Sequence, residues 1–152
     1  MPAWANVGFA TPLADVLIID NDFSDLVQTY DYLWYYTSTL QALGLTYAVV
    51  NVDDGLNQPT TIPDPTVLAA FKAIVWYTGD NFNSNGDFTD STGLTALDQD
   101  RLNAYLNNGG TLIAMGQDLA ASINADTFNP TTSNALYKDH LGANWVQDSV
   151  SK

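Results

Sequence analysis

The chain has 152 residues, 46% hydrophobic and 14% charged, and 17 acidic against 4 basic residues give a formal charge of −13. This is material for one domain with its own core, and no apolar run approaches the ~20 residues that span a bilayer. Lys72, Arg101, Lys138 and Lys152 cannot form a phosphate-binding stripe, which argues against nucleic acid or an anionic membrane as partner.

Every acidic residue is Asp; there is no Glu. Asp favours turns and helix starts over helix faces, so the negative charge collects in loops and at element ends. Two readings of that charge stay open. One is a solvated, self-repelling surface; the other is binding of a divalent cation such as Ca2+ or Mg2+, which takes oxygen ligands. With no cysteine, disulfides, thiolate nucleophiles and Cys-ligated metals are excluded, and the single His140 excludes a His-rich metal site.

Met1-Pro2-Ala3-Trp4 shows no basic segment leading into an apolar one, so no signal peptide is read there. The first element is Val16-Leu17-Ile18-Ile19, apolar at every position and ending in Asp20-Asn21-Asp22. Such a run predicts a strand buried on both faces, as in a parallel sheet covered by helices. Tyr30, Leu33, Thr37 and Leu40 before Gly44 then predict a helix over roughly 29–43, capped near Thr29 or Asp31. Trp34 and Tyr36 widen its apolar face, and aromatics at helical spacing are expected in the core.

Thr46–Val52 is the second strand, closed by Asp53-Asp54-Gly55, and a proline-rich connection runs to Pro65. Thr66–Lys72 allows at most two helical turns before the third strand, Ala73–Thr78. The loop from Gly79 to Gly93 contains Asn81-Phe82-Asn83-Ser84-Asn85-Gly86-Asp87, a partial calcium-loop pattern with Thr92 where a bidentate Glu is needed. Thr95-Ala96-Leu97-Asp98 forms a capping box with Asp in place of Glu, and Leu97, Leu102, Tyr105 and Leu106 are expected to be buried. Asn107-Asn108-Gly109-Gly110 ends that helix, and Thr111–Met115 is the fourth strand, followed by Gly116-Gln117-Asp118. Leu119–Asn134 reads as a short helix and loop, Leu136–Gly142 as a helical turn with a glycine stop, and Ala143–Asp148 as a fifth, edge strand.

Strands alternating with helices predict an α/β three-layer sandwich, a flavodoxin-like parallel sheet of about five strands in the order 2-1-3-4-5. Residues 1–15 are read as an extension or linker, 16–148 as one domain, and 149–152 as a tail. The strands' carboxyl edge would gather Asp20, Asp22, Asp80 and Asp118, the candidate metal ligands, unless these carboxylates simply cap helices and close turns.

This order of elements resembles the class I glutamine amidotransferase-like domain in the degenerate form found as an accessory module of large secreted bacterial peptidases. The matching residues are Asp20-Asn21-Asp22, Tyr35-Tyr36-Thr37 with Leu40 and Leu43-Gly44, and Val75-Trp76-Tyr77-Thr78-Gly79-Asp80. Leu94-Thr95 with Asp98-Gln99, Tyr105-Leu106 before Gly109-Gly110, Gly116-Gln117-Asp118 and Leu141-Gly142-Ala143 continue the pattern. The resemblance implies a flavodoxin-like fold, an extracellular or cell-surface location, and the other domains of a parent peptidase as partners. Catalytic members carry a Cys nucleophile backed by His and Glu; this chain has neither Cys nor Glu, so the domain itself is expected to be no enzyme. No Gly-x-Ser-x-Gly elbow supplies a serine instead.

Asp20-x-Asp22 after a strand, with Thr78 ending another, also resembles haloacid-dehalogenase-like phosphatases. That pattern implies Asp20 as nucleophile, Asp22 as general acid/base, Thr78 as phosphate ligand and Asp118 as a ligand for Mg2+. Ser24 stands where the pattern wants Thr or Val, and no lysine is clearly placed near the strand ends.

Overall fold

Four short parallel strands organise the computed structural model, which describes residues 14–22, 31–52, 61–79, 95–116 and 136–142. They are β1 (Val16–Asp20), β2 (Tyr47–Asn51), β3 (Ala73–Tyr77) and β4 (Leu112–Met115), hydrogen-bonded in the order β2-β1-β3-β4. The protein is therefore an α/β chain with a parallel sheet, in the order expected for its first four strands. Helices α1 (Leu33–Ala42), α2 (Pro65–Leu68) and α3 (Ala96–Asn107) connect them, and a π-helical turn follows at Leu136–His140. No helix among the described residues is long and apolar enough to cross a membrane.

All five residues of β1 are buried, as its unbroken apolar run predicts for a central strand. Alternation divides its side chains between two cores. Val16 and Ile18 pack with Leu40, Val75 and Tyr77; Leu17 and Ile19 pack with Leu68, Ile74, Trp76, Leu102 and Leu136. The division follows from connectivity: the step from β1 to β2 runs one way along the sheet, and those to β3 and β4 run the other. Right-handed crossovers then send α1 to one face and α2 and α3 to the other. At the opposite edge, Asp15 accepts from the N–H and hydroxyl of Thr46 and from Lys72 at 2.6 Å, holding the starts of three strands together. The Lys72 ammonium keeps the Asp15 carboxyl well below the usual carboxylate range.

Two sequence expectations about packing are overturned. Helix α1 begins at Leu33 and buries Leu40, but Trp34 is 67% exposed and Tyr35 60%. Each residue advances roughly 100° around a helix, so Leu33, Tyr36, Thr37 and Leu40 share a stripe that Trp34 and Tyr35 lie outside. In α3, Leu102 and Tyr105 are buried, but Leu97 is half exposed while Asp98 and Gln99 are buried. Asp98 closes the capping box with Thr95 and also accepts the Ile62 N–H at 2.9 Å, so that stretch turns inward on the polar residue. Arg101 donates to Thr61 and to the Ile62 carbonyl from the same helix.

Burial pushes the Asp98 carboxyl upward, against the opposing hydrogen bonds from Thr95 and Ile62. Asp98→Ala is expected to cost about 2–3 kcal/mol, since it removes a cap and strands a buried N–H. Asp98→Asn, which keeps an acceptor, should recover part of that in urea denaturation.

Candidate functional site

In an open parallel sheet, ligands gather at the strands' carboxyl ends where the strand order reverses. Here that point lies between β1 and β3, and the register aligns Asn51, Asp20, Tyr77 and Met115 across the four strand ends. The chain continues as Asn21-Asp22 from β1 and as Thr78-Gly79 from β3. Asn21 N–H donates to the Tyr77 carbonyl at 3.1 Å, Val52 N–H to Asp20 at 2.9 Å and Thr78 N–H to Met115 at 2.9 Å, extending the ladders past the strands.

Of the four candidate metal ligands, the structure brings Asp20 and Asp22 together at this edge, 4% and 2% exposed. Asp80 and Asp118 lie outside the described residues, as do Asp53, Asp54, the Asn81–Asp87 loop, Gln117 and the expected fifth strand. Among the described residues no group of three or more acidic or histidine side chains could hold a metal ion. His140 is half-buried in the π-helical turn.

The two acids do different work. Asp22 Oδ2 accepts the Tyr32 N–H at 2.8 Å, so it ties the end of β1 to the start of α1, whose N-cap residue, Tyr32, makes no side-chain capping bond itself. Asp31 accepts the Leu33 N–H beside it, and Asp64 caps α2. For these residues capping is the role observed.

Asp20 is enclosed instead. It lies opposite Tyr77 on the α1 face, where Tyr77 stacks on Tyr36 with ring centroids 4.2 Å apart. Burial pushes the Asp20 carboxyl from its ordinary 3.8 up to about 7, and the Asp22 charge adds to the rise. The Tyr77 hydroxyl and the Asp22 backbone act the other way. That hydroxyl is close enough to be felt yet makes no well-formed bond: Asp20 Oδ1 and the Tyr77 hydroxyl are both buried without a partner among the described residues. Burial, then the nearby carboxylates, raises the phenols of Tyr77 and Tyr36 in turn, so both stay neutral donors at ordinary pH. The Thr78 hydroxyl is likewise buried and without a described partner.

Two glycines fit the edge together. A Cβ on Gly116 would meet the Thr78 hydroxyl at 1.9 Å. Gly79 has φ +52, and a Cβ there would lie 2.8 Å from the Tyr32 ring and 3.0 Å from Asp22 Cβ. Gly79→Ala thus combines a left-handed backbone with overpacking of the Asp22–Tyr32 joint. A loss of about 2 kcal/mol is expected by chemical denaturation; an unchanged midpoint would show that the joint yields freely.

The sequence reading named Asp20, Asp22 and Thr78 but missed the tyrosines around them. The signal was available: parallel strands of five residues each put Asp20 opposite Tyr77, and Tyr36 stands on the buried stripe of α1. A scan against protein-family models, a search of curated proteins and a search of solved structures found no match to this chain.

Proposed function

We propose that this chain is a non-catalytic accessory or interaction domain, of the glutamine amidotransferase-like kind within a larger secreted bacterial peptidase. On this reading Ala143–Asp148 adds a fifth strand, completing a flavodoxin-like three-layer sandwich in the order 2-1-3-4-5. The domain works outside the cell or at its surface, against other domains of its parent chain, and holds one divalent cation at the strand ends.

The enclosure of Asp20 carries the proposal. A nucleophilic carboxylate must reach its substrate, whereas Asp20 is 4% exposed and Asp22 is engaged at α1. An enclosed carboxylate oxygen with no described partner is costly when ionised, and a Ca2+ or Mg2+ ion would offset that cost. Asp20 is the central ligand in this proposal, with Asp80 and Asp118 as the further carboxylates.

The test is the melting temperature of chelator-stripped protein with and without each ion. Cation at ~100 times its Kd should stabilise by roughly 2.7 kcal/mol, a shift of several degrees, and Asp20→Asn should abolish the shift. No shift with either ion refutes the cation. Mg2+-dependent hydrolysis of an aryl phosphate, lost in Asp20→Asn, would replace the accessory reading with the phosphatase one.

A further inference from the structure

The chain contains the pairs Asn85-Gly86 and Asn108-Gly109, and the second lies within the described residues. Asparagine before glycine is chemically reactive. The glycine nitrogen has no side chain beside it to hinder attack, and the backbone there turns freely enough to bring it against the asparagine amide carbon. What holds the pair in the folded chain decides how fast that happens.

Here the end of α3 holds it. Asn108 and Gly109 are exposed, yet their polar groups are engaged. Asn108 Nδ2 donates to the Ala104 carbonyl at 2.9 Å, and the Gly109 N–H donates to the Leu106 carbonyl at 2.9 Å. The N–H groups of Asn108 and Gly110 both donate to the Tyr105 carbonyl, at 3.2 and 3.1 Å. Gly109 takes φ +86, the left-handed step that commonly ends a helix. Asn108 has ψ 14, which turns the Gly109 nitrogen away from the asparagine side chain. Ring closure requires the peptide between them to rotate, and that rotation breaks the bond to Leu106. The pair therefore reacts when the last turn of α3 opens.

The same turn latches β4. A Cβ on Gly110 would run into the Tyr105 ring, so the chain passes flat against it. The Tyr105 hydroxyl accepts the Thr111 N–H at 3.2 Å and donates to the Phe71 carbonyl at 3.3 Å. The Thr111 carbonyl then accepts the Ile74 N–H at 2.8 Å, where the pairing of β4 with β3 begins. The link from helix to strand has no slack.

We propose that Asn108 is a site of spontaneous modification, converted to aspartate and isoaspartate when the last turn of α3 opens, and that the isoaspartate product unlatches β4. The Gly109 nitrogen bonds to Asn108 Cγ, and the side-chain nitrogen leaves as ammonia, taking the Gly109 proton. Water, the sole co-reactant, opens the cyclic imide. Opening at Cγ gives aspartate; opening at the backbone carbonyl gives isoaspartate, whose main chain runs through Cβ and Cγ and is one carbon longer. Either product places a carboxylate at the negative end of a helix with no basic residue in its last turn, which weakens that end. The longer main chain also displaces Gly110 and Thr111 from Tyr105. None of this depends on an ion at Asp20.

The chain is incubated at mildly alkaline pH, native and in urea, and both Asn-Gly pairs are followed by peptide mass spectrometry. In urea the two pairs should convert at similar rates. In the native protein Asn108 should convert about tenfold or more slowly than in urea, because only the opened fraction reacts. Tyr105→Phe, which frees Thr111, should raise the native rate and leave the urea rate unchanged. Gly79→Ala, a destabilising change far from this turn, should leave both rates unchanged. The isoaspartate form, separated by ion exchange, should lose hydrogen-exchange protection over Leu112–Met115 while β1 and β2 keep theirs. Equal rates in native protein and urea, or no native conversion once the urea sample is exhausted, would overturn the proposal. A native rate raised as much by Gly79→Ala as by Tyr105→Phe would assign the reaction to global unfolding and overturn it too. Unchanged protection of β4 in the isoaspartate form would refute the unlatching.

Discussion

Trp76→Ala should destabilise the protein by about 3–5 kcal/mol, the usual cost of truncating a buried tryptophan. Trp76 is completely buried on β3, between Ile19 of β1 and Ala114 of β4, and it joins Leu102 and Tyr105 in the larger core. Removing the indole opens a cavity where sheet and α3 meet. Trp76→Phe separates packing from polarity. The indole N–H is buried without a partner among the described residues, and such a group costs about 1–3 kcal/mol. Phe gives up part of the volume but also removes that cost, so its net effect should stay within about 1.5 kcal/mol. Urea denaturation measures both variants, with an unchanged slope showing that only stability moved. If Trp76→Phe were as damaging as Trp76→Ala, the N–H would have to be bonded in solution.

What the sequence made legible was whatever a local pattern encodes. Val16–Ile19 announces a strand buried on both faces, and Thr95 with Asp98 announces a helix start; both are found, the capping box complete. The inward turn of Asp98 was not legible, because its further partner is the Ile62 N–H, 36 positions earlier. Trp34 was misplaced for a related reason. Composition marked α1 as aromatic, but the buried stripe depends on which residue faces β1, and a shift of one position moves a side chain roughly 100° around the helix. The same geometry made the candidate site half readable. Asp20 and Asp22 were visible as a pair, yet their different fates follow from the start of α1 at Leu33, where the Tyr32 N–H needs an acceptor, and from the Tyr36–Tyr77 stack over Asp20.

The opposed demands on Asp20 make its replacement the most informative single change. Held in chelator at pH 8, Asp20→Asn should be more stable than the parent chain. The carboxyl rises from 3.8 to about 7 on folding, chiefly through burial, so the native state keeps a proton that the unfolded chain has already released. Stability from this group is complete below about pH 3.8 and is lost as pH climbs to about 7; above that the loss is full and constant. Each tenfold change in proton affinity is worth about 1.4 kcal/mol, so the loss is on the order of 4 kcal/mol. Asparagine has nearly the same shape and carries no charge, so its curve should lack this component: the two proteins should match near pH 4 and diverge toward pH 8. Asp98, also raised by burial, leaves a residual slope of the same sign in both. If the proposed cation binds there, adding Ca2+ or Mg2+ should reverse the ranking, because a cation beside ionised Asp20 would restore what burial costs and would find no carboxylate in the variant. Equal stability of the two proteins at pH 8 in chelator would mean that the ionised carboxylate already has a partner in the metal-free protein. The enclosed oxygen would then give no reason for a cation at the strand ends.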